Sequence, residues 1–445
     1  MKVIYSDTKE RMSWIFSVNH GINDQKSTIA LVSELLEYIH NQSRPLHSAA
    51  LHNHSMEESK EDPELCDDSS SVEYSVEYTV GHQKEALETS TPLPISLETA
   101  LTHGLNYWKI LKWAMRNAFI KAPVEAAYVP AKLNRNYTED PVKYAHYNVG
   151  DDRRSFVVNF TLSKEETDAL VLVCRANNVT VTSALSAATL CVTSLFLQLD
   201  NMQELTAQNL KSYVTVDTRR YGSNPHGGPQ SSLEPAVPKH ALVNSPQDWT
   251  GGRMACASHC IDFIVSVPLS AVSHAKDIYD FETHPGQNKE PVRTENPEFW
   301  VLAKECRAFT REKVENELDL GVLFFEFLID EIGLLSIIDA PGSVNDPLKM
   351  GRDSPCGVSN VGVIDFNTCL ESGSGSASQP GRVSVKEAYF GSGGGRGGSY
   401  SFLSSQTVNG CLNNSLHFAD PLTTRDEALL FKKCFVTILK ELLIF

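Results

Sequence analysis

Residues Phe156–Leu190 read FVVNFTLSKEETDALVLVCRANNVTVTSALSAATL. The first seven, Phe156–Leu162, predict a strand. Ser163-Lys164-Glu165-Glu166 is a capping box, a serine with a glutamate three residues later, ahead of an apolar run. The helix containing LVLVCRANN follows, and a second helix runs from about Thr182 to Leu199. A strand that feeds a capped helix pair calls for a mixed architecture, because each element needs a different layer to cover its apolar face.

The same alternation extends towards the C-terminus. SYVTVDT (Ser212–Thr218) predicts a strand that ends in Arg219-Arg220, and Tyr221–Arg253, rich in Gly, Pro and Ser, predicts a long loop. Ile261–Val267 is a strand, Pro297–Glu315 a helix, Val322–Ile338 a mainly apolar helical region, and Cys356–Phe366 a strand. Glu371–Arg382 reads as a Gly/Ser linker. Val383–Tyr389 and Ser399–Val408 are strands around the turn GSGGGRGG, Asn409-Gly410 is a hairpin turn, and Thr424–Leu443 closes the chain as a helix. Towards the N-terminus, SWIFSV is the core of a strand over Val3–Val18. After it, Ser27 caps a helix that places Ile29, Val32, Leu36 and Ile39 on one face. Pro94–Ile120 is a further helix, with Leu97, Leu101, Leu105, Trp108 and Met115 near one face. The fold class is therefore α/β or α+β.

Composition narrows the function. Hydrophobic residues make up 41% of the 445, enough for a large core. No apolar run reaches the roughly 20 residues of a membrane helix, and MKVIYSDTKERM has no signal-peptide core, so the reading is a cytoplasmic protein without a transmembrane segment. Ten cysteines without regular spacing suit reduced thiols. The net charge of -16 is uneven: Glu57–Glu88 holds eleven acids against Lys60 and Lys84, inside a polar stretch at about 41–91 that reads as a disordered acidic insertion. No basic stripe points to nucleic acid.

Four places could carry chemistry. In WIFSVNHGINDQKS (Trp14–Ser27), His20 and Asp24 stand four apart where a strand gives way to a helix. A histidine there can accept and return a proton near neutral pH, although among 14 histidines about one such spacing arises by chance, and spacing alone favours a structural role. Arg219 could turn inward to pair with Asp24, or be solvated. CGVSNVGVIDF holds Ser359 and Asn360 inside an apolar strand, where a self-satisfied bulge and a functional hydroxyl both fit. Thr407 precedes the Asn409-Gly410 turn. Cys256, His259 and Cys260 lack the second pair that a structural zinc site needs, so no metal is expected. GSGGGRGG lacks the Lys-Ser/Thr of a phosphate loop and reads as a turn.

Taken in order, these pieces resemble the HxxxD acyltransferase superfamily, which includes alcohol O-acetyltransferases and the condensation domains of peptide synthetases. NHGINDQKS resembles the family's HHxxxDG pattern, and FVVNFTL…TSALSAATL the strand and helices that open its second lobe. YVTVDTRRY resembles its arginine-ended strand, NPEFWVLAKECR a recurrent helix, VSNVGVIDF its SNLG strand, and SFLSSQTVNGCLNNSLHF its terminal strand pair. The sequence departs from the pattern at Asn19, at Gln25 in place of glycine, and in the second-lobe DFGWG loop, of which Glu387–Gly391 keeps the spacing alone.

The resemblance implies a two-lobed fold like chloramphenicol acetyltransferase, with a partial first lobe over 1–155 and a second over 156–445. The family carries a longer stretch before its histidine than the 19 residues present here, so the first lobe is expected to be incomplete. The implied activity is transfer of an acyl group, acetyl foremost, from acyl-CoA to a small alcohol or amine. His20 would be the general base and Asp24 a loop anchor paired with Arg219. Ser359, Asn360 or Thr407 would line the tunnel or bind the oxyanion. Acyl-CoA would be a co-substrate, with no permanently bound cofactor, and the protein would be a monomer. The alternative is a truncated or degenerate relative that binds without catalysing.

Overall fold

Strand β3 (Arg154–Leu162) runs into a capped helix α1 (Lys164–Ala176), as the sequence predicts. Ser163 Oγ accepts from the Glu166 amide at 3.2 Å, and the Ser163 amide donates to Glu166 Oε2 at 2.9 Å. Asn178, at φ 56, turns the chain into α2 (Val181–Leu197), which leaves α1 at 96°. The remaining elements are β4 (Gln208–Asp217), β5 (Ser258–Val267), α3 (Leu269–Thr283), α4 (Pro297–Ile332), β6 (Arg352–Ile364), β7 (Gly398–Val408), β8 (Cys411–Asp420) and α5 (Arg425–Leu442). Near the N-terminus, β1 (Lys2–Tyr5) and β2 (Met12–Ile15) pair antiparallel.

This computed structural model describes residues 2–5, 12–15, 28, 29, 32, 33, 36, 108, 128–130, 132, 133, 139, 140, 154–199, 204–217, 258–284, 297–332, 350–364, 366, 385–391, 398–420 and 422–443. Two compact units divide the chain. One comprises Met1–Ile95, Lys239–Cys256 and Asn367–Ser384, the other Ser96–Pro238, Ala257–Phe366 and Val385–Phe445. In the first, β1 and β2 form a two-stranded sheet, and Thr28, Ile29, Val32, Ser33 and Leu36 are helical with Ile29 and Leu36 buried. The acidic insertion, the 221–253 loop and the 371–382 linker lie outside the described residues.

In the second unit, six strands form one mixed sheet in the order β3-β8-β7-β6-β4-β5. The three central strands β7, β6 and β4 run parallel, and the outer pairings are antiparallel. One sheet face is apolar. Ile261, Val214, Val358, Leu403, Leu416 and Val158 lie side by side across all six strands, each at most 9% exposed. All five of α1–α5 contribute buried residues to the core cluster that this face supplies. The helix α2 packs on β6, α3, α4 and α5, and every residue from Ser183 to Leu197 is buried. That explains its uniform apolarity, since a helix covered all round has no polar face to show. Aromatic contacts of Phe418 and Phe196 with Phe431 of α5 close the layer. Among the described residues, no single helix is long and apolar enough to cross a membrane.

Four differences from the sequence reading have physical causes. Helix α3 was not foreseen, although Pro268 followed by Ala271, Val272, Ala275 and Ile278 gives it a start and a buried stripe. Pro297–Glu315 and the apolar region beyond it form one helix through Ile332 rather than two. Val385–Tyr389 make no ladder pairing, despite their strand-like composition; Gln406 and Asn413 side chains bond the carbonyl of Ala388 instead. Trp108 is helical but 71% exposed, because helical spacing alone does not fix which arc of a helix is covered.

Candidate functional site

The other face of the six-stranded sheet is polar, and at its centre it is buried as deeply as the apolar face. Strand pleating sends successive side chains to opposite faces, so laterally paired residues line up in rows. One row comprises Cys260, Thr215, Ser359, Ser404, Ser415 and Asn159, one from each strand. Ser359, Ser404 and Ser415 are at most 6% exposed. Thr215 Oγ1 donates to Ser359 Oγ at 2.6 Å, a bond between residues 144 apart in sequence.

The neighbouring row, one pleat repeat away, is Asp262, Tyr213, Gly357, Phe402, His417 and Val157. It forms an aromatic shelf. Tyr213 and Phe402 stack with centroids 5.9 Å apart, and His417 meets Phe402 edge-on at 5.3 Å. Gly357 makes the shelf possible, because a Cβ there would lie 2.2 Å from Tyr213 Cζ. Lys211, two residues before Tyr213 on β4, pairs with Asp262 Oδ2 at 2.9 Å, at the outer end of the row.

On the far side of the hydroxyl row lies a third, the amide row, with the amides Gln406 and Asn413 and the hydroxyl of Thr161. Thr161 Oγ1 donates to Asn413 Oδ1 at 3.2 Å and meets the Tyr389 hydroxyl at 2.6 Å. Burial pushes the Tyr389 phenol up from its ordinary value, which keeps it protonated. Asn413 Nδ2 and Gln406 Nε2 both donate to the Ala388 carbonyl. Buried polar groups are ordinarily bonded. Here Ser415 Oγ and Gln406 Oε1, in residues with no exposed surface, have no hydrogen-bond partner among the described residues.

The site residues named from sequence separate in this geometry. Ser359 faces the polar side within the hydroxyl row. Asn360, its neighbour, faces the helices: its Nδ2 donates to Thr182 Oγ1 at 3.1 Å and its Oδ1 accepts from the Gly362 amide at 3.0 Å. The strand shifts register between Asn360 and Val363, and Gly362 adopts φ +91. Of the two expectations for this dipeptide, the bulge is found at Asn360, while Ser359 presents a buried hydroxyl on the opposite face. Thr407 pairs with Leu412 on the helix side, so it does not share a face with Ser359. His20, Asp24 and Arg219 lie outside the described residues, Arg219 two positions beyond the end of β4 at Asp217. His259 and Cys260 are successive on β5 and project to opposite faces, and Cys256 lies outside the described residues.

The sequence reading missed Tyr213, Phe402, Ser404, Gln406, Asn413, Ser415 and His417. The signal was present: SFLSSQTV and CLNNSLHF carry polar or ring-bearing residues at every second position on both arms of one hairpin. The alternate positions are partly polar as well, Ser401, Ser405, Thr407 and Asn414, which hides the period of two.

No family model matches the chain, and no curated protein matches it. Among solved structures it is similar to the epimerization domain from the third module of tyrocidine synthetase B, at 10% identity over 96% of this chain and 68% of that one, with a TM-score of 0.43. Trichothecene 15-O-acetyltransferase from Fusarium sporotrichioides is similar at 14% identity over 69% of this chain and 52% of that one, with a TM-score of 0.41. The cyclization-docking bidomain EpoB of a nonribosomal peptide synthetase from Sorangium cellulosum is similar at 11% identity over 78% of this chain and 50% of that one, with a TM-score of 0.39. The chain spans about half the length of the last two.

Proposed function

We propose that the protein is an acyltransferase of the HxxxD type, moving an acyl group from acyl-CoA to an alcohol or amine. The observation that carries this reading is the meeting of three sequence motifs. YVTVD on β4, VSNVGVI on β6 and SFLSSQTV on β7 are far apart in the chain, yet they lie side by side and put Thr215, Ser359 and Ser404 in one buried row. These are the motifs whose order resembles the family, and the row gives them a common face for a ligand.

In this reading the chain has two lobes that divide near residue 155. His20 takes the proton from the acceptor hydroxyl or amine as that group attacks the thioester carbonyl. The tetrahedral intermediate collapses, the C–S bond breaks, and the thiolate of CoA leaves and takes up the proton from His20. Asp24 pairs with Arg219 and holds the loop. Ser359, whose oxygen accepts from Thr215, is the hydroxyl that donates to the developing oxyanion.

The test measures free thiol released from acetyl-CoA in the presence of a panel of alcohols and amines, for the unaltered chain, His20→Ala and Ser359→Ala. Loss of a general base lowers the rate by roughly 10²–10⁴-fold. Equal rates for the unaltered chain and His20→Ala would overturn the reading. Gln25, where the family has glycine, favours a second reading as a non-catalytic binding relative. That reading predicts no acceptor-dependent thiol release from any of the three proteins.

A further inference from the structure

We infer that Gln406 and Ser415 form the subsite for an uncharged acceptor, which they hold through its hydroxyl or amide N–H group. The inference rests on the acyltransferase reading for the word acceptor and on geometry for the rest. The orientation of the Gln406 amide is fixed by chemistry. The Ala388 carbonyl accepts hydrogen bonds and cannot donate, so the atom of Gln406 that meets it is the NH₂ group. The carbonyl oxygen Oε1 is left pointing elsewhere, buried and without a hydrogen-bond partner among the described residues. It can accept and cannot donate, so its complement is an N–H or O–H.

Ser415 lies diagonally across the β7–β8 ladder from Gln406, on the same face: Gln406 pairs with Asn413, and Ser404 with Ser415. Such diagonal neighbours stand about 7–8 Å apart. The Ser415 hydroxyl is also buried without a bond, and it can donate as well as accept. Two adjacent orphan atoms on one face, one an acceptor and one of either kind, match a ligand with a hydroxyl or an amide. Asn413, opposite Gln406 and two residues before Ser415 on β8, has both ends of its amide engaged by Thr161 and Ala388, so it positions and does not compete.

The charge of the ligand follows from the rows. Among the described residues at the centre of the three rows, the only ionisable side chains are His417 and the phenol of Tyr213. Asp262, at the outer end of one row, pairs with Lys211, and Glu387 accepts from Tyr389. A carboxylate or ammonium ligand between Gln406 and Ser415 would lose its hydration without a counter-charge among the described residues of these two rows. The aromatic shelf lies one pleat repeat from Ser415, about 7 Å along the strands, and two from Gln406. It suits an apolar or ring-bearing body attached to the polar group.

The experiment titrates the full chain with 2-phenylethanol in the absence of any acyl donor, by calorimetry, alongside phenylacetate and ethylbenzene. Gln406→Met keeps the side-chain length and removes the acceptor, and Ser415→Ala removes the second orphan atom. Each variant is expected to weaken 2-phenylethanol binding about tenfold or more, while the melting temperature of Ser415→Ala stays level or rises. Ethylbenzene and phenylacetate are expected to bind at least tenfold more weakly than the alcohol. Unchanged affinity in both variants overturns the inference, as does phenylacetate binding as well as the alcohol. A fall in melting temperature for Ser415→Ala with unchanged alcohol binding identifies a fixed structural water as the occupant and overturns it too. The thiol-release assay separates this outcome from the wider reading: transfer with unaltered binding in both variants sinks the subsite alone, and weakened binding with no transfer sinks the acyltransferase alone.

Discussion

The ring of Tyr213 stands over the Cα of Gly357, so that a methyl group at that carbon would lie 2.2 Å from Cζ and 2.5 Å from both ring carbons beside it. Two strands thereby share one volume. β6 supplies an empty position, and β4 fills it with a ring that continues into Phe402 and His417.

Gly357→Ala is therefore expected to displace the ring and cost about 1–3 kcal/mol, the range for overpacking a buried position. Denaturant unfolding reads the cost. Adding Tyr213→Ser empties the volume and recovers part of it. A single variant as stable as the unaltered protein, or a double variant no better than the sum of its parts, would disprove the shared volume.

The bulge in β6 yields a second expectation. Asn360→Ala removes the bonds to Thr182 and to the Gly362 amide together. About 1–3 kcal/mol of stability goes with them, since the Thr182 hydroxyl on α2 loses a donor and the half-buried Gly362 amide loses its acceptor. Gly362→Ala meets no atom within 4 Å, so its cost, about 1–2 kcal/mol, is that of φ +91 alone. Equal stability of Asn360→Ala and the unaltered protein would mean the bulge is held by something else.

Acid should loosen the helical layer. Lys440 of α5, 2.8 Å from Glu166 of α1, holds that carboxyl below its ordinary value, helped by the Ser163 amide. For Glu427, burial raises the value, but bonds from Lys132 and Thr424 outweigh it and the net direction is down. A carboxyl depressed on folding contributes stability that is complete above its unfolded value, about 4.3, and is lost as pH falls through the folded one. The melting temperature should thus fall as pH drops from about 5 towards 3. Glu166→Gln combined with Glu427→Gln should flatten that slope, and an unchanged slope would remove these two pairs as its cause.

Thiol chemistry offers a simple probe of the core. Burial pushes the thiols of Cys174, Cys191, Cys356 and Cys434 up to about 12, and it raises Cys306 as well. Thiolate is the reactive form, so these should resist iodoacetamide at pH 8 in the native protein, while exposed Cys260 is alkylated. Mass spectrometry of peptides from native and urea-treated samples checks this. Labelling of Cys191 or Cys356 at the rate of Cys260 under native conditions would contradict the packing of α2 against β6.

How far the sequence could be read depended on whether a signal was local. The Ser163–Glu166 box, the Asn409-Gly410 turn and the β3–α1–α2 order rest on residues within a few positions of one another, and the structure contains all three. The α3 helix was legible but overlooked, because its stripe is mostly alanine and valine rather than leucine. The polar face was out of reach. Its rows depend on which strands lie side by side, and the parallel neighbours β4, β6 and β7 are joined by long connections that leave no local trace. Ser359 and Asn360 illustrate the limit. Being successive, they had to face opposite ways, yet nothing in the dipeptide said which of the two the helices would cover.

The parallel pairing of β6 with both of its neighbours also dictates an order of assembly. β7 and β8 can zip from their two-residue turn, whereas β6 closes its ladders only when segments such as those around Thr215 and Ser359 have found each other across 144 residues. Contacts of that span form late, because the intervening loop must be closed first. Until β6 docks, β4 and β7 each present a bare edge able to recruit a foreign strand. The last strand to arrive is thus both the seal of the sheet and the bearer of Ser359, so a chain protected from aggregation has already built the centre of its polar face.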